Sequence, residues 1–202
     1  MKGPEKLSDN IAEFDAIVKQ TAVGYLGIVT PDGYPRVVPV SFVAVGQTIY
    51  FHGATSGEKH EAFAARQKVT LCIAIPYAAI PSYWRAKDYA CPANQFYKSV
   101  LIRGTGRLVD TPEEKAAGLQ ALIEKHQPEG GYVKISADRP LYKKPIDEVA
   151  VYRIDPVKID VRVSFGEKCP AEVRRELIRK LEERGLPMDR ETAEEIRKTL
   201  IL

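Results

Sequence analysis

The chain is poor in the residues on which metal and disulfide chemistry depend: three cysteines, three histidines, two methionines and one tryptophan in 202 residues. Cys72, Cys91 and Cys169 show no CxxC spacing, and an odd, sparse set supports neither a disulfide framework nor a structural zinc site. Cys72, inside VTLCIAI, reads as a small apolar side chain of a strand. No apolar run approaches the roughly 20 residues that cross a bilayer. The opening MKGPEKLSDN has no apolar core of a secretory signal. The expectation is a cytoplasmic protein with no membrane partner. The net charge of +3 is spread over scattered lysines and arginines, so no nucleic-acid partner is expected either. Neither GxGxxG nor GxxxxGK[ST] occurs.

What is present is an ordinary globular composition, 45% hydrophobic and 28% charged. Leu7, Ile11, Phe14 and Val18 share one helical face, with Ser8 or Asp9 as cap. GYLGIVT, RVVPVSFVAV, IYFHG, KVTLCIAI, SVLIRGTGRLVD and EVAVYRIDPVKIDVRVSF read as six strands. PDGY is a type I turn signal, and GQT is a second turn. Gly104 and Gly106 mark a bend within their strand, and Pro156 marks a turn or bulge. GEKHEAFAARQ predicts a short helix. TPEEKAAGLQALIEKH predicts a longer one, capped by Thr111 with Pro112 at the first position. Residues 167–202 hold nine acidic and nine basic residues and no aromatic one, and read as two amphipathic helices, the first ending at Gly185. Their apolar stripe of Val173, Leu177 and Leu181 is expected to pack on the barrel or on a partner. The fold class is mainly β with peripheral helices: a six-stranded antiparallel split barrel, residues 1–165, followed by a helical hairpin, residues 166–202. Side chains fill so small a barrel, so a ligand binds on its wall or between subunits.

One stretch invites a ligand. In IYFHGATSGEKHEAF, a strand runs into five small residues and then Lys59, between His52 and His60. Gly53 and Ala54 let backbone amides approach a ligand closely. The helix opening at Gly57 offers unpaired amides, Lys59 adds a full charge, and Arg36 on the preceding strand adds a bidentate donor. Pro39, in mid-strand, cannot donate to a ladder, so its position faces an edge, a bulge or a ligand, with free backbone groups near Val38 and Ser41. Spacing alone leaves two readings open: an anion site, or a plain turn with a surface lysine. Histidine is the side-chain type suited to proton transfer at physiological pH, so His52 is the candidate proton donor, or else a polar strand residue. His60 and His126 read as solvated. Tyr77, Tyr83, Trp84, Tyr89, Phe96 and Tyr97 make 76–97 an aromatic segment that roofs a pocket or fills core.

The runs GYLGIVTPDGYPRVVPVSFV, IYFHGATSGEK and FYKSVLIRGTGRLVDTPEEK resemble the flavin-binding split-barrel superfamily of pyridoxamine 5′-phosphate oxidase, over roughly residues 10–165. Within it they are most similar to the nitroimidazole-resistance branch. The resemblance implies FMN at a homodimer interface and no metal. It implies that Arg36, Val37, Val38, Pro39, Val40 and Ser41 line the ring and phosphate. His52, Gly53 and Ala54 then lie beside the cofactor, Lys59 holds the phosphate and Ser99 touches the ring. Arg162 falls where the oxidases place a ring-contacting aromatic. The oxidases' closing arginine-rich motif is replaced by FGEKCPAEVRREL, so oxidation of pyridoxamine phosphate itself is not expected. The implied activity is FMN-dependent reduction of small electron-poor molecules such as nitroaromatics. The alternatives are a non-catalytic flavin- or haem-binding sensor, and an interaction module with a vacant site.

Overall fold

The computed structural model describes residues 11–200. Leu7 and the cap candidates Ser8 and Asp9 lie outside them. The elements run α1 (Ile11–Gln20), β1 (Val23–Val29), β2 (Pro35–Ser41), β3 (Val43–Val45), β4 (Thr48–Gly53), α2 (Glu58–Ala64), β5 (Lys68–Ile80), β6 (Asn94–Leu108), α3 (Pro112–His126), α4 (Pro140–Glu148), β7 (Ala150–Ser164), α5 (Ala171–Arg184) and α6 (Asp189–Lys198). A short 3-10 turn covers Ser82–Trp84. Two compact units divide the described residues, 11–73 with Val100–Val161 and Ala74–Ser99 with 162–200.

The strands form one sheet of seven, not six, in the order β2-β1-β5-β6-β7-β4-β3. The pairings β1–β2, β1–β5, β3–β4 and β4–β7 are antiparallel. The extra strand arises because 36–45 breaks at Phe42. Phe42 and Val43 are both buried in succession, so strand alternation fails there and the chain changes partner. β2 pairs with β1 and β3 pairs with β4. The short connection between 36–42 and 49–54 suggests that the two are sheet neighbours, and they are not: of the stretch 36–45 only β3 pairs with β4, whose other partner is β7. β2 and β3 end the sheet at opposite edges, yet one residue joins them. The sheet must curl until those edges meet, held by the covalent chain instead of a ladder, which is an open, split barrel. Pro39 lies on edge strand β2, opposite Tyr25 of β1, and an edge strand is where a proline is tolerated within a sheet.

In the first unit the barrel interior is filled by Leu26, Ile28, Phe42, Ile49, Phe51 and Phe63, all buried. Burial of each such side chain is worth about 1.5–3 kcal/mol. The outer side of β4 is covered as well. Tyr50, Val43 and Val151 pack with Val109 and Leu122 under α3. Gly118 allows that approach, since a Cβ there would lie 3.1 Å from Tyr50 Cδ1. α3 starts as its sequence dictates, with Thr111 Oγ1 accepting from the Glu114 N–H at 3.3 Å and Pro112 in the first turn. The PDGY turn closes with the Gly33 N–H donating to Thr30 O at 2.8 Å. Pro156 sits inside β7 and ends nothing, and α4 occupies a segment without a clear helical pattern.

In the second unit α5 and α6 form the expected hairpin, turned by Gly185 in the left-handed region at φ 64°. Leu177 and Leu181 are buried and Val173 half-buried. The hairpin docks in cis. Thr192 Oγ1 accepts from the Ala78 N–H at 2.9 Å, and Glu195 pairs with buried Lys98 at 2.8 Å.

Candidate functional site

β4 alternates, so Phe51 and Gly53 face inward while Tyr50 and His52 face outward. Phe51, Phe63 and Tyr152 form an aromatic floor, with Phe51 and Tyr152 stacked at 5.0 Å and Phe63 edge-on to both. Lys59, in the first turn of α2, lays its ammonium over this floor, 5.1 Å from the Tyr152 centroid and 5.6 Å from that of Phe51. Gly53 makes the room, because a Cβ there would stand 2.7 Å from Lys59 Nζ.

The electrostatics single this lysine out. Among the described residues of the first unit, half-buried Arg107 and Arg153 pair with Asp155 and Glu114. Lys115 reaches Ile146 O and Val149 O, Lys125 reaches Phe42 O, and Lys158 pairs with Asp160. Lys59 meets two ring faces and no oxygen of any described residue. Burial pushes its pKa below the ordinary lysine value with no carboxylate to offset it. A half-buried cation left this way is costly unless an anion joins it.

The surrounding loop suits that anion. The amides of Thr55, Ser56 and Gly57 donate to no backbone acceptor among the described residues. Tyr152 sends its hydroxyl to Ala54 O, and His60 Nδ1 lies 3.4 Å from the same hydroxyl. Arg36 shares the inward parity of Val38 and Val40 on β2, and its Nη2 lies 3.0 Å from Glu58 Oε1 at the start of α2. That pair is exposed and worth about 0–1 kcal/mol, so an incoming anion competes for the guanidinium at little cost.

Gly53 and Lys59 are thus brought together beside Ala54, and Arg36 is tied to Glu58, the residue before Lys59. The rest of β2 divides by parity: Val38 and Val40 turn inward, Val37, Pro39 and Ser41 outward and exposed. His52 is exposed on the opposite face of β4 from Gly53 and the ammonium. His60 is half-buried, not solvated, because it packs edge-on to Tyr152 at 6.2 Å. Glu58, His60 and Tyr152 are the site residues that sequence reasoning missed. Tyr152 lay unremarked in the last strand, because the carbonyl its hydroxyl meets is 98 positions away and only the fold brings the two together. Ser99 and Arg162 belong to the second unit, where Ser99 is half-buried on β6 and Arg162 stacks 5.4 Å from Tyr97.

The aromatic segment splits. Tyr77 and Phe96 are core, against Phe165 at 4.9 and 5.7 Å. Tyr83 and Tyr89 are exposed. A groove of about 390 Å³ runs between Tyr83, Trp84 and Arg179, Lys180, Glu183 and Arg184. Its cations are already engaged with Glu176, Glu183, Asp189 and Trp84 O. Among the described residues no cluster of three or more His, Cys, Asp or Glu has metal-site geometry, and no helix is long and apolar enough to cross a membrane.

Several solved structures share the fold at low identity. A candidate 5-nitroimidazole antibiotic resistance protein from Bacteroides thetaiotaomicron aligns at TM-score 0.59 and 18% identity, over 79% of this chain and 85% of its own. The FAD and heme binding protein from Mycobacterium smegmatis aligns at TM-score 0.63 and 18% identity, over 77% of this chain and 71% of its own. The flavocytochrome Anf3 from Azotobacter vinelandii aligns at TM-score 0.60 and 20% identity, over 79% of this chain and 72% of its own. No curated protein matches in sequence. The sequence profile described as pyridoxamine 5′-phosphate oxidase matches residues 10–163.

Proposed function

The chain belongs to the pyridoxamine 5′-phosphate oxidase family, and from that premise we propose that it is an FMN-binding flavoprotein reducing small electron-poor molecules such as nitroaromatics. One observation carries the reading: Lys59 is a half-buried ammonium over an aromatic floor, with no oxygen partner among the described residues. A phosphate monoester supplies the missing charge. Gly53 and Ala54 admit it, the free amides at 55–57 bond it, and Arg36 exchanges Glu58 for it. The flavin's chemistry is hydride and electron transfer between a reduced donor and an acceptor. The chain's own part is to anchor the tail, exclude water beneath it and leave a wall free for the ring. Relatives named for flavin binding and for nitroimidazole resistance support the cofactor class and the acceptor class.

Pyridoxamine phosphate is not the proposed substrate. Arg174, in the segment that departs from the oxidase motif, is committed to Thr199 O and Oγ1. We place the protein in the cytoplasm, in keeping with its unpaired cysteines. We also propose a homodimer with the ring at the subunit interface. The outward face of β1 and β2 supports it: Tyr25 opposite Pro39, Gly27 opposite Val37 and Val29 opposite Pro35 form a continuous exposed apolar strip. A second copy of that strip covers both the face and a ring lying on it.

The test is a purified protein, its visible spectrum, and titration with FMN. The two visible bands of an oxidised flavin are expected, and a Soret band in their place supports the haem-binding alternative. Lys59→Met is expected to weaken FMN roughly ten- to a hundredfold, the worth of one charge-assisted hydrogen bond. The apo variant should melt no lower than wild type, since it sheds a desolvated charge. Unchanged FMN affinity in Lys59→Met would refute the site.

A further inference from the structure

We propose that Tyr152 is the positioning residue of the anion loop, acting on the Ala54–Thr55 peptide. The inference rests on the flavin-phosphate reading of the Lys59 site and adds a residue whose side chain touches only the protein.

Ala54 O can only accept, so the Tyr152 hydroxyl donates its single proton to it. The tyrosine oxygen is then left as an acceptor, and His60 Nδ1, 3.4 Å away, faces it as the donor. Tyr152 itself cannot drift. Its ring is fully buried, stacked on Phe51 at 5.0 Å and edge-on to Phe63 at 5.2 Å. Burial also pushes its pKa above the ordinary tyrosine value, so the hydroxyl keeps its proton and its direction at neutral pH.

The consequence falls on the next amide. No peptide bond here is cis, so the Thr55 N–H points opposite to Ala54 C=O. With the carbonyl held toward Tyr152, the N–H is aimed away from it, in the loop that runs from Gly53 to the start of α2 and Lys59. The Thr55, Ser56 and Gly57 N–H groups have no backbone acceptor among the described residues. Without the hydroxyl, the peptide plane between Gly53 and Gly57 is free to rotate and present a carbonyl to the anion. The site then pays repulsion where it had a hydrogen bond. Preset amides lower the ordering cost of binding, so this one contact controls affinity for the phosphate without meeting it.

The prediction is specific to the charged tail. Tyr152→Phe keeps the ring and its packing and removes only the hydroxyl. Its Kd for FMN is expected to rise about tenfold while its Kd for riboflavin, which lacks the phosphate, stays at the wild-type value. Loss of core packing alone would weaken both ligands together. Lys59→Met, measured in parallel, tests the underlying site. If Lys59→Met loses the preference for FMN and Tyr152→Phe keeps it, the positioning role is wrong and the site stands. If wild type shows no preference for FMN over riboflavin, the site reading falls and takes this inference with it. Should Tyr152→Phe fail to fold, amide NMR of the wild type decides. A downfield shift of the Thr55 N–H on adding FMN but not riboflavin supports the proposal, and its absence overturns it.

Discussion

Lys125 and Lys59 are both held half-buried against aromatic faces, and they differ in what the nitrogen reaches. Lys125 Nζ stands 3.7 Å from the Phe42 ring centroid and donates to Phe42 O at 2.8 Å. The ring and the carbonyl both favour the ammonium, yet burial outweighs them and pushes its pKa down to about 8. An unfolded lysine titrates near 10.4 (roughly). Between those values the unfolded chain binds more protons than the folded one. This group's contribution to stability therefore rises with pH across that window, and falls away as pH drops through about 8. Lys125→Met removes the dependence and orphans Phe42 O. The expected outcome is a gap between the urea midpoints of wild type and variant that widens from pH 7.5 to pH 10, about the window named above. A constant gap would mean Lys125 titrates as an exposed lysine does. The same two lysines show what single residues disclose in sequence. Lys59 was legible because small residues surround it. Lys125 was not, because its partner Phe42 lies 83 positions away and only the fold brings them together.

Among the elements, β6 and β7 depend on a side chain that is absent. A Cβ on Gly104 would lie 2.4 Å from Asp155 O and 2.9 Å from Ile154 Cγ2. The first obstacle is backbone, so no rotamer change relieves it, and the strands themselves must part. Gly104→Ala is expected to destabilise by about 3 kcal/mol, the upper end of overpacking costs. Urea unfolding checks it: the midpoint should fall with the slope unchanged, whereas an unaltered midpoint would show that the strands yield freely. The glycine announced a bend at the level of sequence, but the carbonyl that requires it is tertiary. Other elements were legible for local reasons. α3 carries its cap, proline and acidic first turn within five residues of its start. The break at Phe42 was hidden because RVVPVSFVAV has apolar residues on both faces, so a slip in alternation leaves no trace in the pattern. α4 was hidden because Pro140 and Pro145 interrupt its helical signal while packing buries Ile146 alone of its residues.

For the whole molecule, the proposed homodimer puts its interface on the strip of β1 and β2. Tyr25 is 52% exposed and Val37 63%, on a two-strand face that is apolar from the Tyr25–Pro39 pair to the Val29–Pro35 pair. Val37 is opposite Gly27, so it meets no bulky neighbour across the pair and stands free toward whatever covers it. A charge at that point costs nothing in the monomer, since the side chain is already in water. In a dimer closed by two-fold symmetry over this strip the same charge is buried on both subunits, which is costly unless it is paired. Val37→Asp is therefore expected to give a folded protein with the wild-type melting profile of a monomer, a sedimentation coefficient to match, and a visible spectrum depleted of bound flavin. The three readings separate the possibilities. A variant that stays dimeric with its flavin moves the interface off this face. A monomeric wild type that still holds its flavin removes the need for a partner altogether, and leaves the β1–β2 wall itself as the complete site.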